Sequence, residues 1–274
     1  MNLSKLHSEV LYSQVRVKTA KSGGSGTIVY SQPAESGVCN TYALTCHHVV
    51  EEAITVKSEW DSKVGRERKR EFRQLVTVEF FDWSNVLHGH RPLNYSSDAE
   101  IVAYDKDHDM ALLKLRTVKR AEHVAKVMAP GEEKSLQIGS SVVAVGSALL
   151  HDPVLTLGAI THMGDEIDGK LYWMGNAQII FGNSGGAVFA TGQGGDFEFI
   201  GIPSRIAISG WSTPITHMGY FSPVTRVHEF FIEQTYQFLT PGSGKTEADC
   251  EAERRKIKER EERKLIMEAP VAAE

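Results

Sequence analysis

The chain has 274 residues, a formal net charge of −5 and three cysteines, Cys39, Cys46 and Cys250. That length can bury a substantial core in one or two lobes. The acidic balance gives no sign of a nucleic-acid partner, and no apolar run approaches a membrane span. The odd cysteine count has no framework spacing, and the opening Met1-Asn2-Leu3-Ser4-Lys5-Leu6 lacks the apolar core of a signal peptide. The expected setting is therefore a reducing cytoplasm, with no membrane and no nucleic acid involved.

In chain order, Ser25-Gly26-Thr27-Ile28-Val29 opens the patterned region, and Thr41-Tyr42-Ala43-Leu44-Thr45-Cys46 reads as a strand running into His47-His48-Val49-Val50. Residues 63–73 carry six basic against two acidic side chains, which suits a solvated hairpin or short helix; the alternative is a docking surface for an acidic substrate. His88-Gly89-His90 could offer two metal ligands, but no third follows at a suitable spacing, so a surface loop and no metal are expected. Short strand signals recur at 75–81, 100–104, 111–115, 141–145, 178–181 and 197–202, divided by Gly, Pro, Asn and Asp clusters. That rhythm predicts an all-β protein of barrels or sandwiches. Residues 224–239 read as a closing helix, with Val227, Phe230, Phe231 and Tyr236 available for packing. Thr240-Pro241-Gly242-Ser243-Gly244 then ends the domain. The tail is dominated by Glu, Lys and Arg, with Glu251/Arg255 and Glu259/Arg263 at helical spacing. It reads as a solvated helix or partly disordered extension, with a partner-binding arm as the alternative. Gly242-Ser243-Gly244-Lys245-Thr246 looks like a phosphate loop only superficially, since Leu239 stands where that motif needs glycine.

Phe181-Gly182-Asn183-Ser184-Gly185-Gly186-Ala187-Val188 carries the chemistry. A serine between glycines suits a nucleophile on a tight turn, where a substrate carbonyl can approach the N–H groups of Gly182 and Ser184. A serine hydroxyl needs an adjacent imidazole to take its proton, and the imidazole needs a carboxylate to fix its tautomer. Upstream, Thr45-Cys46-His47-His48 and Asp107-His108-Asp109-Met110-Ala111-Leu112 supply both, in the order His, Asp, Ser.

These segments resemble the trypsin-like serine proteases of the chymotrypsin fold, most closely the HtrA (DegP-like) branch. That branch shows Thr-Asn-Asn-His-Val-Val, Asp-Ile-Ala-Val-Leu-Lys and Gly-Asn-Ser-Gly-Gly-Pro. Here the matching stretches are Thr45-Cys46-His47-His48-Val49-Val50, Asp109-Met110-Ala111-Leu112-Leu113-Lys114 and Gly182-Asn183-Ser184-Gly185-Gly186-Ala187. Val142-Val143-Ala144-Val145-Gly146, Gly158-Ala159-Ile160, Gly201-Ile202-Pro203-Ser204 and Gly219-Tyr220-Phe221-Ser222-Pro223 extend the resemblance over roughly residues 20–230.

The resemblance implies two Greek-key β-barrels, at about 10–125 and 126–225, within a protease domain of residues 1–240, closed by a helix to 239 and followed by a charged tail, 241–274. It implies a serine endopeptidase acting on polypeptides without a cofactor. Its base is His48 rather than His47, its carboxylate Asp109 rather than Asp105 or Asp107, and its nucleophile Ser184, with Gly182 and Ser184 forming the oxyanion hole. Gln178 would lie at the base of the primary pocket, Ser204, Arg205 and Ile206 along the substrate strand, and Gly219 on the pocket wall. Nothing acidic at that base and a bulky Ile206 imply small or medium aliphatic side chains before the scissile bond. The chain departs from the branch in leaving no room for a PDZ domain after residue 240. Asn183 replaces the aspartate that secreted relatives use for zymogen activation, and Ala187 replaces proline. A stand-alone intracellular or phage-encoded protease suits these departures. The competing readings are a catalytically silent scaffold of the same fold and a protease confined to self-processing.

Overall fold

A computed structural model describes residues 2–34, 37–62, 65–84, 92–192, 194–210 and 212–267. His88-Gly89-His90 and the first two residues of the basic insert, Lys63 and Val64, lie outside the described residues.

The first antiparallel barrel is ordered β1-β2-β3-β8-β7-β6. Its strands are β1 (Gln14–Lys18), β2 (Gly23–Pro33), β3 (Cys39–Thr45), β6 (Val76–Asp82), β7 (Leu93–Asp105) and β8 (Met110–Thr117). Between β3 and β6 the chain leaves the barrel as the two-stranded hairpin β4 (Ile54–Asp61) and β5 (Arg66–Arg73). The basic insert is thus the returning strand of a hairpin. The second barrel is ordered β10-β11-β14-β13-β12-β9. It comprises β9 (Ser141–Gly146), β10 (Val154–Ile167), β11 (Lys170–Gly175), β12 (Ala187–Thr191), β13 (Phe197–Ser209) and β14 (Thr213–Pro223). The protein has the chymotrypsin-like fold.

Barrel closure leaves the strands without free edges and buries one face of each. Strands β3 and β8 pair from Cys39↔Thr117 to Thr45↔Ala111, and the fully buried Tyr42, Leu44, Leu112 and Leu113 fill this part of the core. In the second barrel β9 lies between β10 and β12, which accounts for its run of buried apolar residues from Val142 to Val145.

Residues 178–181 do not form the expected strand. Ile179, Ile180 and Phe181 have strand-like side chains, but strand β11 ends at Gly175 and the backbone here is committed to a turn. Asn183 N–H donates to the Ile180 carbonyl at 3.0 Å, and Asn183 Oδ1 accepts from Ile180 N–H at 3.1 Å. The closing helix is also shorter than expected. Helix α3 is Val224–Glu233, and Thr235 at φ 59° turns the chain into the single-turn segment Gln237–Leu239. Phe230 and Phe231 are fully buried from α3, worth about 1.5–3 kcal/mol each in removed apolar surface. Two short N-terminal and barrel-1 helices, α1 (Leu3–Lys5) and α2 (His47–Val50), complete the elements preceding it.

The tail forms a helix, α4 (Glu247–Met267), and its beginning is docked rather than solvated. The Glu247 carboxylate accepts from Tyr42 Oη at 2.6 Å, Asn40 Nδ2 at 2.9 Å and Lys114 Nζ at 3.1 Å. Cys250 is fully buried, and the Arg254 guanidinium lies 4.0 Å above the Tyr236 ring. These residues fall on one side of the helix, spaced by three and four positions. Burial alone would raise the Glu247 pKa, but the bonds from Tyr42, Lys114 and Asn40 outweigh it and hold the carboxyl below its ordinary value. Its contribution is therefore present above the unfolded carboxylate range and is lost as pH falls through the depressed folded value. Glu247→Ala is expected to cost about 2 kcal/mol in urea unfolding at pH 7, because three donors lose a charged acceptor. The difference from wild type should shrink in strongly acidic buffer; an unchanged unfolding midpoint at pH 7 contradicts the docking role.

Candidate active site

Helix α2 begins where β3 ends, so Cys46, His47 and His48 emerge at the rim of the first barrel. The two histidines face different surroundings. His47 is 5% exposed, with its ring 5.0 Å from that of Tyr104, and burial pushes its pKa down. The His48 side chain is 45% exposed, with its Nδ1 2.8 Å from Asp109 Oδ2. Only His48 therefore offers an imidazole face to a ligand.

Asp109 closes the turn between β7 and β8 at φ 56°, a left-handed conformation that aspartate tolerates better than most residues. Its carboxylate spans two groups of one residue. Oδ1 accepts the His48 backbone N–H at 2.9 Å, while Oδ2 meets Nδ1. An ionised carboxylate only accepts, so Nδ1 carries the proton and Nε2 keeps a free lone pair. The two neighbouring aspartates are differently used. Asp105 accepts from His108 Nδ1 at 2.8 Å and from Arg226 Nη2 at 3.0 Å, bracing the turn against α3. Asp107 is exposed.

Ser184 comes from the second barrel, on the turn before β12. Gly185 is indispensable to its placement. A Cβ there would lie 2.3 Å from both Ser25 O and Thr45 Oγ1, and 2.8 Å from Cys46 N. The missing side chain lets the serine turn press against the ends of β2 and β3, beside the histidine helix. One carbonyl ties both halves together: Pro203 O accepts Gly185 N–H at 3.0 Å and the Cys46 thiol at 3.3 Å. The Ser184 carbonyl in turn accepts Ser25 N–H at 2.8 Å.

Gly182 has φ 94°, which a side chain would resist. Its carbonyl accepts Ser25 Oγ at 2.6 Å, and the preceding Phe181 carbonyl accepts Leu149 N–H at 2.7 Å. Among the described residues, no acceptor takes the N–H of Gly182 or Ser184. Two unengaged donors thus flank a buried Asn183, and backbone N–H groups are the kind of donor an oxyanion requires.

The expected specificity residues are dispersed around this turn. Gln178 is exposed, and its carbonyl accepts Thr156 Oγ1 at 2.9 Å. Among the described residues the buried Ser204 hydroxyl has no partner, and Arg205 pairs with Asp168 at 2.9 Å while stacking over Tyr172. Ile206 and Gly219 face each other across β13 and β14. Ile179, which sequence reasoning passed over, is buried, and a Cβ on Gly219 would fall 2.6 Å from its Cδ1.

Cys46 was also missed. Its sulfur, a His48 nitrogen and an Asp109 oxygen lie within 4.8 Å of one another, a spacing that could hold a metal. Metal ligation requires the thiolate. Burial first, and the Asp109 charge second, push the Cys46 thiol well above its ordinary pKa. The protonated thiol suits its contact with the Pro203 carbonyl.

Comparison with known proteins agrees with the fold. Residues 24–202, more than half of the chain, match the trypsin-like peptidase domain family. A stretch of 98 residues is 33% identical to Protease Do-like 5, chloroplastic, of Arabidopsis thaliana, covering 34% of this chain and 29% of that protein. The match therefore spans under a third of the relative's length. Among solved structures, the HtrA-type protease AlgW, in a variant form with a tripeptide, superposes with a TM-score of 0.60 at 19% identity, over 86% of this chain and 64% of that one. A crystal structure of Deg5 gives a TM-score of 0.56 at 20% identity, over 83% and 90% of the respective chains. At such identities the structural likeness speaks for the fold. The sequence match over the domain goes further, and on it the chain belongs to the trypsin-like peptidase family.

Proposed function

We propose that this protein is a serine endopeptidase in which Ser184 attacks the scissile carbonyl. His48 Nε2 takes the serine proton and later returns one to the departing amine. Asp109 holds the imidazole in the tautomer this needs and stabilises its cation. The N–H groups of Gly182 and Ser184 receive the oxyanion, and a water then releases the acyl group by the same route in reverse. No cofactor enters the sequence of steps. The observation that carries the reading is the Asp109 carboxylate spanning the N–H and Nδ1 of His48, at 2.9 and 2.8 Å.

The side chain before the scissile bond is proposed to be small or medium and aliphatic. Ile179 packs against Gly219, and Ile206 stands opposite Gly219 in the strand register, so apolar groups crowd the wall assigned to the primary pocket. A cationic side chain there would lose water without gaining a carboxylate. The test has two parts. A fluorophosphonate probe should add covalently to Ser184, read by peptide mapping, and an unfolded protein should be cut after Ala, Val or Ile. Absence of the adduct sinks the peptidase reading. Cleavage following Arg, Lys or Phe sinks the pocket assignment, and cuts confined to this chain would limit the activity to self-processing.

A further inference from the structure

We propose that Arg16, a residue of the first barrel, is a positioning residue for the oxyanion pocket of the second. The inference rests on the peptidase reading of Ser184 and goes beyond it, naming what keeps the Gly182 amide aimed.

Arg16 projects from β1 with a side chain only 8% exposed. Its Nε donates to Glu79 Oε2 at 2.5 Å, its Nη1 donates to the Leu150 carbonyl at 2.6 Å, and Asp152 lies 3.8 Å from Nη1. Glu79 is held in turn by Lys18 at 2.7 Å, and the guanidinium sits 5.2 Å from the Phe81 ring centre. Both fork directions of the planar guanidinium are therefore used.

The carbonyl it grips belongs to an unusual loop. Leu149 has φ 49° and Leu150 φ 60°, two consecutive left-handed residues that carry a Cβ. Such a pair persists only where its surroundings hold it. This loop in turn holds the site. Leu149 N–H donates to the Phe181 carbonyl at 2.7 Å. In a trans peptide the C=O and N–H point oppositely. Anchoring Phe181 O on the loop therefore sends the Gly182 N–H away from it. The next peptide plane is fixed as well, because Ser25 Oγ donates to Gly182 O at 2.6 Å while accepting Ser147 N–H at 2.7 Å. A path of direct contacts thus runs from Arg16 through Leu150 and Leu149 to Phe181 and Gly182. Once the guanidinium is gone, the loop relaxes, Leu149 N–H leaves Phe181, and the Gly182 amide is free to rotate out of the pocket.

The test measures kcat and KM on a peptide substrate, with amide hydrogen exchange at Leu149 recorded alongside. Arg16→Ala should lower kcat by on the order of 10²-fold, the loss typical of one oxyanion donor, with KM little changed. Leu149 N–H should exchange faster. Arg16→Lys should fall between, because an ammonium lacks the planar fork. Adding Leu149→Gly to Arg16→Ala should recover part of kcat, since glycine holds the left-handed turn without strain. Should Arg16→Ala fail to fold, the lysine variant carries the test. An unchanged kcat in the soluble variant overturns the proposal, as does equal loss in kcat and KM without faster exchange at Leu149. An inactive, unlabelled wild type removes the peptidase reading instead, and the exchange rate of Leu149 then still decides whether Arg16 holds the loop.

Discussion

Replacing Ser184 by alanine is expected to lower turnover of an unfolded protein by on the order of 10⁴- to 10⁶-fold, while leaving the melting temperature close to that of wild type. The size follows from the division of labour. In the proposed mechanism the hydroxyl forms the covalent bond, and neither His48 nor the paired amides can substitute for it, so only binding and oxyanion stabilisation remain. Stability should be spared because the contacts that seat the turn run through its backbone: Ser184 O to Ser25 N–H, and Gly185 N–H to Pro203 O. Kinetics with a chromogenic peptide and calorimetry on the same preparations check both halves. Activity within tenfold of wild type, or fluorophosphonate labelling that survives the substitution, would place the nucleophile elsewhere.

The contrast between Ser184 and Arg16 shows what a sequence makes legible. A nucleophile, a base and a carboxylate must be particular residue types, and the backbone around them must be glycine-rich or turn-forming, so His48, Asp109 and Ser184 stand out as patterns. The all-β class is legible for a related reason, since short strand runs are divided by turn residues, and the family resemblance narrows it to two barrels. Arg16 carries no such mark. Read in one dimension, it is a polar residue alternating with Val15 and Val17 on a short strand. Its partners, Glu79 and Leu150, are distant in the chain, and only closure of both barrels brings them together. The docking of α4 was hidden likewise, because Glu247, Cys250 and Arg254 are single residues in a run of charge with no apolar face.

The two misread elements have local causes. Ile179-Ile180-Phe181 has the composition of a buried strand, yet the Ile180 amide and carbonyl are spent on Asn183 and the Phe181 carbonyl on Leu149. Local hydrogen bonding overrode propensity there, beside the turn that carries the proposed nucleophile. The closing helix stops early because Thr235 turns left-handed, a conformation that its sequence does not advertise. The choice between the two histidines shows the reverse. His47 and His48 differ by one position, and α2 turns one ring onto Tyr104 and the other toward Asp109.

Asp109→Asn is expected to reduce kcat by on the order of 10⁴-fold with the fold intact. The asparagine oxygen can still accept the His48 backbone N–H, so the start of α2 keeps its tie to the β7–β8 turn. The second contact reverses. An amide NH₂ facing Nδ1 donates where the carboxylate accepted, so Nδ1 becomes the acceptor and the imidazole proton moves to Nε2. A protonated Nε2 cannot take the proton of Ser184, and the cation formed during attack loses its counter-charge. Asp109→Ala separates these effects, since it removes the tie to α2 as well and should lower both activity and melting temperature. Nitrogen chemical shifts of His48 at neutral pH give the direct readout, with the proton on Nδ1 in wild type and on Nε2 in Asp109→Asn. A variant retaining a tenth or more of wild-type kcat, or the same tautomer in both proteins, would mean that His48 is oriented by something other than Asp109.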